Sequence, residues 1–402
     1  MTSVVLVLNA GSSSLKYSLV EADTGDTRAS GLVERIGTAE GMLTHHSPSG
    51  DHVTSVHAAN HEDAIGAALT AFDEHGPALG SAGLSAVGHR VVHGGTRFSR
   101  PAIVDDEILD EIKRLVPLAP LHNAANVEGL EVARRVFPDL PQVAVFDTAF
   151  HQTLEPHVYT YAVPLAWRDD HGVRRYGFHG TSCAFVSRTA SALLGRPLED
   201  INLIVLHLGN GASATAVAGG RSVETSMGLT PLEGLVMGSR SGDLDPAVIG
   251  HLHRQLGWSA EEIDRALNQD SGLKGLTGDN DLRTVEDLVL AGDPGARLAF
   301  DVYCHRIRKY VGAYYAVLGS VDAVVFTAGV GEKSVLVREA SMSGLARLGI
   351  EIDGVRNQAV GGAPARISAD ESEVAVLVVP TNEEWEIARQ VMDLLRTSGG
   401  KP

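Results

Sequence analysis

Two distant segments of the chain share one pattern, and this repetition constrains the fold more than any single element. Residues 4–21 read VVLVLNAGSSSLKYSLVE, and residues 204–220 read IVLHLGNGASATAVAGG. Each segment has an apolar run typical of a buried strand, a turn rich in Gly, Ser and Asn, and a second apolar alternation. The two copies predict a duplicated domain with a cleft between the copies.

The rest of the chain alternates between apolar runs and amphipathic segments. Besides the two hairpin-like segments, apolar runs predict strands over 84–92, 142–146, 323–327 and 374–379, and the polar region 30–60 is expected to hold further strands. Helical spacing predicts helices over 61–75, 105–115, 245–256, 260–267 and 296–317, and a last helix from residue 381. Strands that alternate with helices imply an α/β architecture with largely covered sheets.

Length, charge and cysteine content exclude several classes of protein. A chain of 402 residues predicts two or three domains. Its formal net charge of −17 argues against binding of nucleic acid or an anionic membrane. The two cysteines, Cys183 and Cys304, form neither a disulfide framework nor a CxxC metal site. With no secretory leader pattern and no apolar run of about 18 residues, a cytoplasmic protein is expected.

Glycine-rich turns after the predicted strands favour phosphate binding. Small residues expose backbone N–H groups and hydroxyls without bulk, so the turn over residues 9–16 suits phosphate oxygens. Lys16 would neutralise phosphate charge and Asn9 would orient a metal-bound water. A plain Ser-rich hairpin loop is the alternative. A third turn, TAGVGEKS (327–334), lies between a strand and a helix, where anions often bind, although such turns also simply pack helices onto sheets.

Three cationic or donor side chains also lie in glycine-rich segments. They are Arg90 in GHRVVHGG, His179 in RRYGFHGTS and Arg240 in MGSRSGDLDP. Considered alone, each arginine would be interpreted as half of a surface ion pair, and His179 as a histidine with a structural role. Taken together, they suggest groups that stabilise a phosphoryl group in transfer.

Two acidic segments are candidates for the same site. Asp147 follows a predicted strand in VFDTAF. It is either a carboxylate of the site or the N-cap residue of a helix. In TNEE, Thr381 and Glu384 have the spacing of a capping box. That leaves Glu383 to contact a metal ion directly or through water.

These motifs, in this order, resemble those of the acetate kinases over residues 5 to about 390. The matching segments are LNAGSSSLK, GHRVVHGG, PLAPLHN, FDTAFH, RRYGFHGTS, HLGNGAS, MGSRSGDLDP, FTAGVGEKS and VPTNEE. The resemblance implies duplicated actin-like ATPase (ribonuclease H-like) domains of the sugar-kinase, actin and heat-shock ATPase superfold, with an interdomain nucleotide cleft. The expected domains are 1–150, completed by the helix 381–402, and 151–380, which would bind nucleotide and form a homodimer.

The resemblance also implies reversible, Mg²⁺-dependent transfer of the γ-phosphoryl group of ATP to acetate, giving acetyl phosphate and ADP, with Mn²⁺ as an alternative ion. It implies metal binding by Asn9 and Glu383, acetate binding by Arg90 with Val92 and Leu121 around the methyl group, and catalytic roles for Arg90, Asp147, His179 and Arg240. The implied phosphate and nucleotide contacts are Ser12, Ser14, Lys16, His207, Leu208, Gly209, Asn210, Gly211, Asp281, Leu282, Arg283, Gly329, Val330, Gly331, Glu332 and Lys333. One departure is Lys333, because the family usually has GEN where this chain has GEK.

The chemistry of such a transfer fits these residue types. A carboxylic acid titrates near pH 4 to 5, about the value of a Glu side chain, so acetate is already an anion and needs no general base. The obstacle is repulsion between two anions, which cations and Mg²⁺ relieve. Asp147 is therefore expected to orient an arginine or the hydrated metal.

Two alternatives remain at this point. Propionate or butyrate is an alternative acceptor, because one methylene is worth only about 1–3 kcal/mol of discrimination. A nucleotide-switched filament or chaperone would use the same superfold, since fold does not fix function.

Overall fold

The computed structural model describes residues 3–399, apart from the side chain of Leu121. The described chain divides into two compact units, one formed by residues 3–150 with 382–399 and the other by residues 151–381. No helix within the described residues is long and apolar enough to cross a membrane.

Both units are mixed α/β structures. Within residues 3–399 the strands are β1 (Val4–Ala10), β2 (Ser14–Glu21), β3 (Thr27–Glu34), β4 (Gly41–Ser47), β5 (Gly50–Val56), β6 (Leu84–Val91), β7 (Ala102–Ile103), β8 (Gln142–Phe146), β9 (Asn202–Leu208), β10 (Ala212–Ala218), β11 (Arg221–Thr225), β12 (Ala323–Thr327), β13 (Ala365–Arg366) and β14 (Ala375–Val378). The α-helices are α1 (His61–His75), α2 (Asp106–Arg114), α3 (Pro120–Val136), α4 (Pro156–Tyr159), α5 (Leu165–His171), α6 (Gly180–Leu194), α7 (Ala247–Leu256), α8 (Ala260–Gln269), α9 (Gly272–Thr277), α10 (Leu282–Leu290), α11 (Pro294–Leu318), α12 (Ala328–Lys333), α13 (Val335–Met342), α14 (Gly354–Gln358) and α15 (Glu383–Thr397).

The first unit is built on strand β1, which is buried on both faces. Because side chains alternate along a strand, Leu6 and Leu8 pack in one core with helices α1 and α3, and Val5 and Val7 pack in a second core with α15. The continuous apolar run VVLVL is therefore the signature of a central strand. The eight strands lie in the order β5-β4-β3-β2-β1-β6-β8-β7.

The sheet of the second unit repeats this topology. Its order is β11-β10-β9-β12-β14-β13. Both sheets contain an antiparallel hairpin, formed by β1 with β2 in one and by β9 with β10 in the other. The next two strands of each sheet, β6 and β8 or β12 and β14, are parallel to the first strand of the hairpin. A two-residue antiparallel strand, β7 or β13, ends each sheet. The predicted duplicated α/β fold is confirmed, and the two similar segments are its equivalent hairpins.

Most predicted elements match the structure within two residues, but helix α3 was missed. It begins with Pro120 at its first turn, and Gly129 lies in its middle. Asn123 and Asn126 are fully buried on it. Because two polar residues lie on its buried face, the segment lacks the regular spacing of apolar residues that predicts a helix.

Two local predictions were wrong. The capping box of Thr381 and Glu384 does not form, because Asn382 caps α15 by accepting a hydrogen bond from the Trp385 N–H at 2.9 Å. Glu384 instead pairs with Lys16. The third glycine-rich segment is also not an open turn, because Ala328–Lys333 is helical and follows β12 directly, with Ala328 at φ 64°.

Candidate functional site

In the first unit, the guanidinium of Arg90 is held by Asp147. Arg90 lies near the end of β6, and Asp147 follows the neighbouring parallel strand β8. Arg90 Nε and Nη2 donate to Asp147 Oδ2 at 3.0 and 2.5 Å. The Asp147 side chain is 2% exposed and that of Arg90 is 22% exposed. Arg90 Nη1 has no hydrogen-bond partner among the described residues, so this edge of the guanidinium is available to an anion.

Glu383 is the second carboxyl group beside Arg90. Its Oε2 lies 3.9 Å from Arg90 Nε. Burial raises the pKa of Glu383 to about 7, with Asp147 and Glu384 adding to the rise while Arg90 and Lys16 oppose it. Three carboxyl groups therefore lie beside two cations here, and a further cation would favour the ionised form of Glu383.

The turn between β1 and β2 places Asn9 beside Lys16, because these two residues pair across the strands. The turn is closed by the Gly11 N–H, which donates to the Ser14 carbonyl oxygen at 2.8 Å. A Cβ on Gly11 would lie 2.9 Å from Ser14 Oγ, so a side chain here would crowd the turn. Ser12 is exposed, and Ser14 is half-buried.

Two asparagines that the sequence analysis did not select hold these segments together. Asn126 accepts from the Val92 N–H at 3.0 Å and donates to the Ala10 carbonyl oxygen at 2.8 Å. Asn123 makes two 3.0 Å hydrogen bonds with the backbone of His93. Helix α3 therefore ties the end of β1 to the end of β6. An Asn pair at i and i+3 in LHNAAN is the signal that would have found them.

Val92 directly follows β6 and is buried. Leu121 lies in the first turn of α3, but its side chain is outside the part of the chain that the structure describes.

In the second unit, His179 and Arg240 both lie beside the turn after β9. A Cβ on Gly211 would be 3.4 Å from Arg240 Nη1 and 3.6 Å from His179 Nε2. His179 Nδ1 is hydrogen-bonded to Ser213 Oγ at 2.9 Å, and its ring stacks on His207 with centroids 4.0 Å apart. The structure therefore brings together two predicted catalytic groups and a predicted phosphate turn.

Arg240 is a half-buried cation without a carboxylate partner within the described residues. Burial lowers the pKa of its guanidinium. Within residues 3–399, its Nη1 donates only to the Pro231 carbonyl oxygen at 3.4 Å and, at 3.9 Å, to the sulfur of Met237. The alternative interpretation of Arg240 as half of a surface ion pair therefore finds no support among the described residues. A partly desolvated charge without a carboxylate partner is available to an anionic ligand.

Ion pairs fix the loop that carries Arg240. Arg175 Nη2 donates to Glu233 at 2.7 Å, and its Nη1 donates to the carbonyl oxygens of residues 225 to 227. Asp243 accepts from the Gly234 N–H at 2.9 Å and from the Tyr310 hydroxyl at 2.9 Å. The position of Arg240 is thus set by contacts on both sides of it in sequence.

A cavity of about 690 Å³ lies in the second unit. Its lining includes eight of the predicted nucleotide contacts, namely Gly209, Asn210, Asp281, Leu282, Arg283, Gly329, Val330 and Lys333. It also includes six residues that the sequence analysis missed, namely Gly238, Leu273, Asn280, Glu286, Tyr303 and Ser334. The predicted contacts His207, Leu208, Gly211, Gly331 and Glu332 are not part of this lining. Cavities of this size typically hold small molecules.

Comparison with known proteins assigns the family. The model of the acetokinase family matches residues 4–389, nearly the whole chain. The chain belongs to the acetokinase family. It is therefore an enzyme, a phosphotransferase whose acceptor is a carboxyl group, and it uses ATP or ADP as a substrate. Family membership excludes the alternative of a filament or chaperone.

Relatives within the acetokinase family agree in sequence and in fold. The acetate kinase of Streptomyces griseus subsp. griseus is 56% identical over 399 residues, which cover 98% of this chain and 97% of that protein. The crystal structure of Porphyromonas gingivalis acetate kinase matches with a TM-score of 0.94 at 43% identity, covering 98% of this chain and 100% of that one. A propionate kinase from Francisella tularensis subsp. tularensis SCHU S4 matches with a TM-score of 0.91 at 41% identity, covering 96% and 98%.

Proposed function

We propose that this enzyme transfers the γ-phosphoryl group of ATP to acetate, reversibly and with Mg²⁺, to give acetyl phosphate and ADP. The observation that carries the proposal is Arg240. It is a half-buried guanidinium with no carboxylate partner among the described residues, beside His179 and the glycine turn 209–211. Such a group is suited to an anionic phosphoryl group.

Arg90 binds the carboxylate of acetate in this proposal. Asp147 holds the Nε and Nη2 edge of the guanidinium, and Nη1 is left to bind the substrate. A fixed guanidinium places the attacking oxygen in line with phosphorus, since positioning supplies much of the rate in phosphoryl transfer. Val92 and Leu121 would surround the methyl group.

The nucleotide occupies the 690 Å³ cavity of the second unit, with its phosphates toward Gly209–Gly211. Ser12, Ser14 and Lys16 would bind phosphate oxygens in this proposal. The oxygen donors Asn9 and Glu383 suit Mg²⁺, and the carboxyl groups around Arg90 support a cation there. Bound Mg²⁺, or Mn²⁺ in its place, would neutralise charge on the phosphates.

The transfer itself moves no proton. A carboxylate oxygen of acetate forms a bond to the γ-phosphorus, and the bond from that phosphorus to the β,γ-bridging oxygen breaks with its electron pair leaving on ADP. Arg240 and His179 stabilise the negative charge on the γ-phosphoryl oxygens during the transfer. Asp147 has no proton to take and acts by orienting Arg90.

Propionate is a second candidate acceptor, because the F. tularensis propionate kinase has nearly the same fold at 41% identity. One methylene changes binding by about 1–3 kcal/mol, so weaker propionate turnover is expected in any case. The test measures acyl phosphate, trapped with hydroxylamine, for formate, acetate, propionate and butyrate. The highest kcat/KM with acetate supports the proposal. A higher kcat/KM with a longer acid would keep the proposed reaction but change its acceptor.

We also propose a cytoplasmic homodimer formed through residues 151–380. Apolar side chains exposed in this unit support it, including Trp167 at 51% and Leu165 at 58% exposure. Burial of such surface is the usual driving force of association. Sedimentation analysis with a monomeric result would contradict the dimer.

A further inference from the structure

One group of cavity-lining residues has no role in the transfer described above. It consists of Glu286 on α10, Tyr303 on α11 and Ser334 at the start of α13. Ser334 Oγ donates to Glu286 Oε1 and accepts from the Val337 N–H at 2.9 Å. Glu286 Oε2 has no hydrogen-bond partner among the described residues. One oxygen of the carboxyl group is thus fixed and the other is left for a ligand.

Tyr303 adds a second unused polar atom beside Glu286. The residue is 2% exposed, and its hydroxyl has no hydrogen-bond partner within residues 3–399. Burial, and then the neighbouring Cys304 and Glu286, raise the pKa of this hydroxyl. A buried polar group without a partner is costly unless a ligand or water binds it.

The position of these residues identifies which part of a nucleotide they would meet. Gly209 and Asn210 line the same cavity at the turn beside Arg240 and His179, where anionic phosphates are favoured. A carboxyl group repels phosphate, so the phosphates belong at the Gly209 turn and not at Glu286. The base or the ribose is the part of the nucleotide that remains for Glu286.

We propose that the Glu286 carboxylate accepts a hydrogen bond from the 6-amino group of the purine base. This contact gives the enzyme its preference for ATP over nucleotides whose purine carries a carbonyl group at position 6. This inference rests on the proposed binding of nucleotide in the cavity. The 6-amino group of adenine donates a hydrogen bond to a carboxylate oxygen. Hypoxanthine and guanine present a carbonyl oxygen at that position, which leaves the carboxylate oxygen unpaired and facing another acceptor.

The test compares ATP with ITP, which differ at position 6 of the base. In the unchanged enzyme, kcat/KM with acetate is expected to be at least about tenfold higher for ATP than for ITP. In Glu286→Gln, the amide donates as well as accepts, so the ATP-to-ITP ratio should fall about 10- to 100-fold, mostly through KM for the nucleotide. KM for acetate should not change.

Asp287→Asn is the matched control, because Asp287 is the exposed neighbour of Glu286 on the same helix. This variant removes the same charge and should keep the ATP-to-ITP ratio. Calorimetric binding of ADP and IDP provides a second readout that does not need turnover. If Glu286→Gln does not fold, Glu286→Asp shortens the side chain and should lower the same ratio.

The outcomes separate this inference from the proposed function. An equal loss for ATP and ITP in Glu286→Gln would assign the residue to the ribose and overturn the inference. An unchanged ratio, with active enzyme, would overturn it as well. No acyl phosphate from unchanged enzyme with either nucleotide would overturn the proposed function itself.

Discussion

Both hydrogen bonds from Arg90 to Asp147 are accepted by the same carboxylate oxygen. Arg90 Nη2 lies 2.5 Å from Asp147 Oδ2, and Nε lies 3.0 Å from it. This contact fixes one edge of the guanidinium and leaves Nη1 without a hydrogen-bond partner in the described part of the chain. The pairing assigns Asp147 a positioning role, and it leads to the first prediction.

Asp147→Asn should lower kcat by about 100-fold, because a misplaced guanidinium no longer aligns the acceptor. The pH profile should keep its shape, since Asp147 takes no proton. Steady-state kinetics from pH 5.5 to 9 checks both points, with the exposed Asp139→Asn as control. A loss of activity that follows the titration of one base would contradict the positioning role.

Arg240→Ala should lower kcat by about 10²- to 10³-fold, the cost of removing one donor to a developing charge. Arg240→Lys should recover only part of this loss, because an ammonium group lacks the planar fork. Arg265→Ala, at an exposed arginine, serves as control and should be as active as the unchanged enzyme. If Arg240→Ala raises only KM, the residue binds the ground state and does not stabilise the transfer.

Asn126→Ala should lower the free energy of unfolding by about 1–3 kcal/mol, because it leaves the Val92 N–H and the Ala10 carbonyl oxygen buried without a partner. Urea unfolding followed by circular dichroism measures this change. Asn268→Ala is the control, since the Asn268 side chain donates only to Asp264 of its own helix among the described residues. Equal losses of unfolding free energy in the two variants would mean that the hydrogen bonds of Asn126 between β1 and β6 contribute no more to stability than those of Asn268.

The sequence predicted the sheets because strands such as β1 are continuous apolar runs between turn residues. It also selected Arg90, Asp147, His179 and Arg240, which lie in recognisable glycine-rich or strand-end segments. It missed Asn126, Asn123 and Glu286, because these are polar residues on helices whose partners are backbone atoms or side chains distant in sequence. Only the packing of α3 and α10 reveals those partners.

Folding stability should fall in mild acid because of buried histidines, among them His89 and His93. Burial lowers the pKa of the His89 imidazole to about 4, although its hydrogen bond with Gln142 opposes the shift. The unfolded chain binds a proton near pH 6.5 and the folded chain does not until about pH 4. Stability is therefore lost as the pH falls through this window, by about 1.4 kcal/mol per pH unit for this group.

Urea unfolding at pH 7 and pH 5 checks this prediction. His89→Gln should reduce the difference between the two pH values, even if it lowers stability at both. His305→Gln, at an exposed histidine, should not reduce it. The same pH dependence in all three proteins would contradict the assignment to His89.

The central claim is that cationic side chains, and not a general base, enable transfer to an anionic carboxylate. The most direct measurement is ATP- and Mg²⁺-dependent acetyl phosphate formation, trapped with hydroxylamine, in the unchanged enzyme, Arg90→Ala and Arg240→Ala. The account predicts strong product formation in the unchanged enzyme and a loss of at least about 100-fold in each folded variant. Near-normal turnover in either variant would contradict it.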